Sequence, residues 1–141
     1  MRDLSKPYRL AVYQALSGLS TPIFDEKRLV TSTASTFILL STQQRTPKDE
    51  NDCSWIARCS IDIEIYNKTR SEVSKDTIDD ISNAILAILL TAPGLTPLTS
   101  SNIQFGYAQA ELIISRNISI SETESILQKV IRFTVDCTEQ A

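Results

Sequence analysis

Histidine is absent from this chain of 141 residues. Imidazole is the commonest general base in enzymes, the usual partner of a nucleophilic serine or cysteine, and a frequent zinc ligand. Its absence excludes Ser–His and Cys–His nucleophiles and every histidine-ligated zinc site. We therefore expect a protein that is not an enzyme and whose function depends on its architecture and surfaces.

Glycine is also scarce, with only three residues, at positions 18, 94 and 106. Loops that bind phosphate through backbone N–H groups need several glycines within a few positions of one another. The observed spacing excludes such a loop, so we predict no bound cofactor.

Cysteine occurs only three times, at positions 53, 59 and 137, and no two cysteines form a Cys-x-x-Cys pair. Cys59 and Cys137 fall at apolar positions of predicted strands, where a thiol packs as a small hydrophobic side chain. Cys53 lies among acidic residues, whose negative charge disfavours a reactive thiolate. We interpret the cysteines as reduced thiols of a cytosolic protein.

Long apolar runs and an excess of basic charge are missing as well. No run approaches the ~20 residues that span a bilayer, and the N-terminus does not resemble a signal peptide. The net charge is −3, so the chain lacks the overall basic character of a nucleic-acid-binding protein. With 42% hydrophobic and 22% charged residues, residues 1–141 are predicted to form one globular domain with no membrane partner.

The clearest positive pattern covers residues 54–90. A strand with strict alternation leads through a polar turn into one amphipathic helix. The inward residues of the strand are Trp55, Ala57, Cys59, Ile61, Ile63 and Ile65, and the outward ones are Arg58, Ser60, Asp62 and Glu64. The apolar stripe of the helix contains Ile78, Ile81, Ile85, Ile88 and Leu89. This alternation predicts a sheet with one face buried under helices and one face in water.

The flanking segments complete an α+β domain. Ser5 is predicted to cap an N-terminal helix, and a short extended segment then leads to an apolar strand at residues 37–40. Two further strands follow the second helix. Either Gly106 or residues 109–111 are candidates for a bulge in the first of them, ahead of the apolar positions Leu112, Ile114 and Ile118. The order α-β-β-β-α-β-β predicts a mostly antiparallel five-stranded sheet with both helices packed on one face.

Two surface features are candidate contact sites. Residues 46–52 contain no apolar side chain and join two predicted strands, as expected of a projecting hairpin loop. Asp62 and Glu64 lie two positions apart on one strand face, about 7 Å from each other. Such a pair suits acid–base chemistry or a hard metal ion, but a solvated strand face is the commoner environment of two carboxylates. We predict no catalytic or metal-binding residue, and we predict contacts at Pro47, Lys48, Asp49, Glu50, Asn51 and Asp52, with Asp62 and Glu64 on the outer or channel-facing side.

The arrangement resembles the tail terminator, or tail-completion, proteins of bacteriophages, the group that includes the minor tail protein U type. The resemblance covers nearly the whole chain and is one of pattern rather than of a signature motif. Its parts are an N-terminal helix, the apolar strand 36–40, the polar hairpin 43–52, the alternating strand 60–66, the helix 78–90 and two closing strands.

The resemblance implies a structural virion protein that forms a ring, usually sixfold, at the head-proximal end of the tail. Such a ring stops growth of the tail tube and joins the tail to the head connector. The implied partners are further copies of the chain, the tail tube protein and the head-completion or connector protein. DNA is then only passing cargo, repelled by the like charge of an acidic channel, and assembly takes place in the host cytoplasm.

Three other hypotheses remain open. Related ring proteins of viral necks share the fold. A small cytosolic α+β ligand-binding module would require a pocket with converging polar groups. A hydrolase that uses carboxylates and a divalent metal would require a set of spaced oxygen ligands.

Overall fold

The computed structural model describes residues 4–24, 36–50, 55–69, 76–101, 103–119 and 125–139. Two helices and five strands follow one another in the predicted order. They are α1 (Ser5–Leu16), β1 (Ile23–Phe24), β2 (Thr36–Glu50), β3 (Trp55–Thr69), α2 (Asp76–Leu89), β4 (Ile103–Ser119) and β5 (Ser125–Glu139).

The five strands form one sheet in the spatial order β1-β2-β3-β5-β4. The pairs β2–β3, β3–β5 and β5–β4 are antiparallel, and only the two-residue β1 runs parallel to its neighbour β2. The predicted mostly antiparallel sheet is therefore confirmed, with one short parallel pair at the β1 edge.

Both helices cover the same face of this sheet, which we call the helix face. The inward residues of β3 from Ala57 to Ile65 are buried there, as the alternating pattern predicts. Tyr8, Val12 and Leu16 of α1 join them in one apolar core. From α2, Ile78, Ile85 and Leu89 are buried in the same core, while Ile81 and Ile88 are partly buried against it. Ser82, four residues after Ile78 on the same stripe, is also buried although it is polar.

The start of α1 differs from the prediction. The N-cap position is occupied by Leu4, without a side-chain cap, and Ser5 is already the first helical residue. Leu4 is 3% exposed and belongs to the apolar core. Burial of this leucine thus takes the place of a hydroxyl cap in fixing where the helix begins.

The strand β2 extends further than the sequence suggested. The register pairs Thr46 with Arg58 and Glu50 with Trp55, so residues 46–50 are strand and not loop. Backbone hydrogen bonds to β3 hold this part of the strand, and such bonds do not require apolar side chains. The ladder is irregular between Pro47 and Asp49, as expected next to a residue that has no N–H donor.

The strand β4 is irregular at two places. Its register shifts between Phe105 and Ala108, where Gly106 was predicted to host a bulge. A second shift, between Leu112 and Ile114, was not placed correctly by the sequence pattern. Leu112 pairs with Ile131 on the helix face, whereas Ile114 pairs with Val130 on the opposite face. The sequence pattern placed Leu112 and Ile114 on one side of the strand. The extra residue Ile113 forms a bulge that shifts the alternation by one position, so the two residues point to opposite faces.

A tight turn connects α2 to β4. Leu95 N donates to Ala92 O at 2.9 Å, which places Pro93 and Gly94 at the two central positions of a β-turn. Gly94 has φ of 78°, the conformation that favours glycine at the second central position of a type II turn. Gly94 O then accepts from Ala108 N at 3.1 Å, so the turn lies against the outer side of β4.

Candidate assembly surface

The sheet face opposite the helices, which we call the open face, carries the outward residues of β3. Because paired residues of antiparallel strands point to the same side of a sheet, the register brings side chains of β5 and β4 beside them. One row joins Asp62, Arg132 and Glu111, and another joins Tyr66, Gln128 and Arg116. The open face is therefore a connected polar surface built from three neighbouring strands.

Asp62 lies on the open face as predicted, and it is paired. Arg132 Nε donates to Asp62 Oδ1 at 3.0 Å, and a second guanidinium nitrogen donates to Oδ2 at 3.4 Å. The hydrogen bond and the charge of Asp62 raise the pKa of Arg132, and Glu111 adds to the same effect. Asp62 therefore does not present an isolated negative charge, which leaves it a poor general base and a poor repulsive group.

Glu64 belongs to a compact hydrogen-bond network with Tyr66 and Gln128. Tyr66 OH donates to Glu64 Oε1 at 3.0 Å, and Gln128 Nε2 donates to Tyr66 OH at 2.8 Å and to Glu64 Oε1 at 3.2 Å. Arg116 Nε donates to Gln128 Oε1. Gln128 is only 4% exposed, so the network fixes a buried amide in one orientation.

Tyr66 also joins this network to an aromatic cluster. Its ring stacks on Phe37 with ring centroids 5.1 Å apart, and Phe37 meets Phe24 edge-on at 6.2 Å. The Nζ of Lys68 lies 5.7 Å from the centre of the Phe37 ring. The open face therefore carries an aromatic cluster near β1, and in β4 it carries both the polar Arg116 and the apolar Ile114 and Ile118.

The environment of Tyr66 gives a testable pH dependence. Burial, followed by the charge and hydrogen bond of Glu64, raises the pKa of Tyr66 from 10.0 to about 12. The neutral phenol is the form that the folded protein stabilises, so this contribution is complete below pH 10 and is lost as the pH rises towards 12. We expect the free energy of unfolding, measured by urea denaturation, to fall more steeply between these pH values in the wild type than in Tyr66→Phe. Equal slopes for the two proteins would contradict the assignment.

The predicted contact segment is only partly described. Residues 47–50 lie at the end of β2. Pro47, Asp49 and Glu50 pair with β3, and Lys48 lies at the irregularity between them. Asn51 and Asp52 lie outside the described residues. Pro47 is exposed, and its partner in β3 is Ala57 rather than a residue next to Asp62. The structure thus places these residues at the end of a long hairpin and does not bring them together with Asp62 and Glu64.

Sequence reasoning missed an exposed apolar surface on β4. Every residue from 111 to 118 in β4 is exposed, including Leu112 at 54% and Ile113, Ile114 and Ile118 at 36–37%. The signal was present as a run of apolar residues, but the sequence does not show that β4 is the outermost strand. We call residues 111–118 the β4 edge segment.

A surface groove of about 410 Å³ lies between α1 and the segment that precedes β4. It is lined by Lys6, Pro7, Leu10, Ala11, Gln14 and residues 99–101. One lysine, one glutamine and short hydroxyl side chains supply its polar groups, so it has no cluster of converging charges. Within the described ranges, no group of three or more Cys, Asp or Glu residues is arranged to hold a metal ion.

The two described thiols are structural. Cys59 and Cys137 are buried on the helix face and neither forms a disulfide. The hydrogen bond with Cys59 and burial raise the pKa of Cys137, so its thiol stays protonated and packs as an apolar group. Among the described helices, neither is long and apolar enough to cross a bilayer.

Comparison with known proteins gives a likeness of fold. A scan against protein-family models finds no match, and a search of the curated proteins finds none. A search of solved structures finds a chain from the virion of a native gene transfer agent particle, with a TM-score of 0.65. The match covers 96% of this chain and 99% of the other at 14% sequence identity. The two chains share a fold. This fold therefore occurs, over its full length, in a protein of a virion.

Proposed function

We propose that this protein is a structural component of a phage-like virion and acts as its tail terminator. In this role it forms a ring at the head-proximal end of the tail, stops growth of the tail tube, and joins the tail to the head connector. It performs no catalytic step, and its partners are further copies of itself, the tube protein and the connector protein. DNA passes through the ring without being bound in a sequence-specific way.

The observation that carries the proposal is the full-length likeness to a virion chain of a gene transfer agent particle. Because the match spans nearly all of both chains, the likeness is one of the whole domain and not of a single motif. A shared fold supports a shared role only by analogy, and here the analogy agrees with the resemblance to tail terminators seen in the order of the sequence elements.

The surfaces of the chain are consistent with assembly rather than with chemistry. The candidate carboxylates Asp62 and Glu64 accept hydrogen bonds of 3.0 Å from Arg132 and Tyr66, respectively. The exposed β4 edge segment, by contrast, leaves apolar side chains in water, as expected of a surface that another protein covers.

Removal of the gene from the particle that carries it tests the proposal. We expect tails whose tubes exceed the normal length by a variable amount, together with filled heads that lack tails, when lysates are imaged by negative stain. Supplying the purified protein to such tubes should leave a ring at one end and stop further growth.

The neck-ring alternative predicts a different image. A connector ring that does not terminate the tube would leave tails of normal length that fail to attach to heads. Particles that assemble normally without this protein would overturn both the terminator and the neck-ring functions.

A further inference from the structure

The outer side of β4 is accessible beyond Ala108. β4 is the last strand of the described sheet, and within the described residues its outer side is paired only at Ala108, with Gly94. All eight residues of the β4 edge segment are exposed, whichever face they lie on. In β3, which has a strand on each side, the outward residues 60, 62 and 64 are buried or only partly exposed. The β4 edge segment therefore has the exposure of a strand with one free side, and such an edge readily accepts another strand.

One hydrogen bond shows which backbone groups of β4 point outward. Ala108 N donates to Gly94 O at 3.1 Å, so the N–H of Ala108 points away from β5. Ala108 pairs with the buried Val135, on the helix face. Backbone groups turn to alternate sides along a strand in step with the side chains, so the other helix-face residues also direct N–H and C=O outward. In the free part of the edge these are Ala110, Leu112, Ser115 and Asn117.

The charges of β4 are complementary to each other. Glu111 and Arg116 are the only charged residues between positions 103 and 119, and both are exposed on the open face. When two copies of β4 run antiparallel about a point between Ile113 and Ile114, Glu111 of each copy lies opposite Arg116 of the other. Opposite charges in such cross-strand pairs are stabilising, whereas parallel in-register strands would place like charges side by side.

The geometry of the edge favours these ion pairs. The hydrogen-bonding positions of the outer edge lie on the helix face, so Glu111 and Arg116 form the non-hydrogen-bonded pairs, whose side chains are closer together. Arg116 Nε donates to Gln128 within the chain, and a guanidinium has four further N–H donors.

The bulge at Ile113 makes the two strands match in their faces. In this register Leu112 lies opposite Ser115, both on the helix face, and Gln109 lies opposite Ile118, both on the open face. A shift of one residue moves a side chain to the other face of a strand, so without the extra residue this register would oppose side chains of different faces. Because both copies carry the bulge, the matching holds on each side of the centre.

We propose that two copies of this chain pair antiparallel through residues 109–118 of β4, about a two-fold axis between Ile113 and Ile114, with two reciprocal ion pairs between Glu111 and Arg116. The two five-stranded sheets then continue as one. The register also fits the length of the free edge, because Ser119, the last residue of β4, comes opposite Ala108, where Gly94 already occupies the edge.

This inference goes beyond the proposed ring function and does not rest on it. The contact uses the same surface on both subunits, so it stops at two copies. A ring needs contacts between other surfaces of the chain.

Reversal of the charges tests the register. The dissociation constant of the dimer, measured by analytical ultracentrifugation, should rise by about tenfold or more in Glu111→Arg and in Arg116→Glu, because each change turns two attractive cross-strand pairs into repulsive ones. The double variant, Glu111→Arg with Arg116→Glu, restores opposite charges in both pairs and should dimerise like the wild type. An equimolar mixture of the two single variants should also form dimers. Single variants that weaken the dimer without rescue in the double variant and in the mixture would overturn the register.

A lysine at the edge tests the surface itself. Leu112→Lys places a charge on the strand that the partner must cover, and lysine is a residue that guards natural edges, so the dimer should again weaken by about tenfold. The matched control is Leu10→Lys, the same change at a residue of α1 that is 44% exposed. Equal dimerisation of the two variants would overturn the contact.

Disulfide formation tests the two-fold symmetry. In a Cys53→Ser background, Gln109→Cys and Ile118→Cys together place two thiols opposite each other across the contact, while Cys59 and Cys137 stay buried. Within one chain positions 109 and 118 are about 30 Å apart along the strand, so the bond can form only between copies. Mild oxidation should convert the double variant to covalent dimers and leave each single variant monomeric.

The remaining outcomes overturn the inference and leave the terminator function standing. A ladder of covalent oligomers would show a head-to-tail contact, and dimers from either single cysteine variant would show another register. A wild type that stays monomeric at millimolar concentration but still caps a tail tube would show that β4 does not pair with itself.

Discussion

Tyr8→Ala should cost about 3–5 kcal/mol of folding free energy, as expected for removal of a large buried aromatic side chain. Tyr8 is fully buried between α1 and the sheet. Its ring lies 6.4 Å from the rings of both Phe105 and Phe133, and its hydroxyl donates to Phe133 O at 2.9 Å. The substitution therefore removes the main attachment of α1 to β4 and β5.

Urea denaturation followed by circular dichroism measures this cost. The Tyr8→Phe variant separates the contribution of the hydroxyl from that of the ring. Loss of the hydroxyl alone should cost about 1 kcal/mol, the typical net value of one hydrogen bond. The matched control is Tyr13→Ala on the same helix, where 39% exposure predicts a change within about 0.5 kcal/mol. A Tyr8→Ala protein as stable as the Tyr13→Ala protein would mean that α1 is not held through this ring.

Ile63→Ala should cost about 2–5 kcal/mol, because deletion of a fully buried aliphatic side chain leaves a cavity. Ile63 is 0% exposed and lies at the centre of β3, paired with Leu40 on one side and Ile131 on the other. β5 is paired with β4 at the same level, and β2 is paired with β1 at the adjacent residue Leu39, so the sheet has little freedom to collapse into the cavity.

The control for this position is Ile118→Ala in β4, the same chemical change at 37% exposure. We expect a cost below about 1 kcal/mol there, since surface substitutions remove little buried area. Thermal unfolding should rank the two variants in the same order. Equal destabilisation would contradict the assignment of β3 as the central strand and β4 as the edge.

These expectations connect stability to assembly. A core substitution such as Ile63→Ala should reduce the amount of folded subunit without changing how folded subunits associate. An edge substitution such as Leu112→Lys should do the reverse, because Leu112 is 54% exposed and contributes little to the fold. Measuring both the free energy of unfolding and the mass in solution for each variant therefore distinguishes the scaffold from the contact surface.

Periodicity predicted most of the scaffold correctly. The strict alternation from Ala57 to Ile65 requires one buried and one polar face, and the structure has that arrangement. The stripe from Ile78 to Leu89 likewise could only be buried by packing against the sheet. Polar segments were predicted less well, since residues 46–50 contain no apolar side chain to indicate that their backbone pairs with β3.

The sequence predicted on which face of the sheet the candidate residues lie, but it did not predict which residues they contact. Asp62 and Glu64 were placed correctly on the outer face by alternation alone. Their partners Arg132 and Gln128 lie 70 and 64 residues further along the chain. No local sequence pattern shows which strands will be neighbours in the sheet. Asp62 was predicted on a solvated strand face, and in the structure its carboxylate pairs with the guanidinium of Arg132.

The sequence by itself determined what the protein lacks and which elements it forms. The missing histidine and the three scattered glycines depend only on composition, and the helices and strands follow from local spacing of apolar side chains. Only the tertiary structure decided that β4 is an outer strand of the described sheet and that the bulge at Ile113 gives it apolar groups on both faces. The physical reason is that an edge is a property of strand order, which backbone hydrogen bonds between distant segments establish.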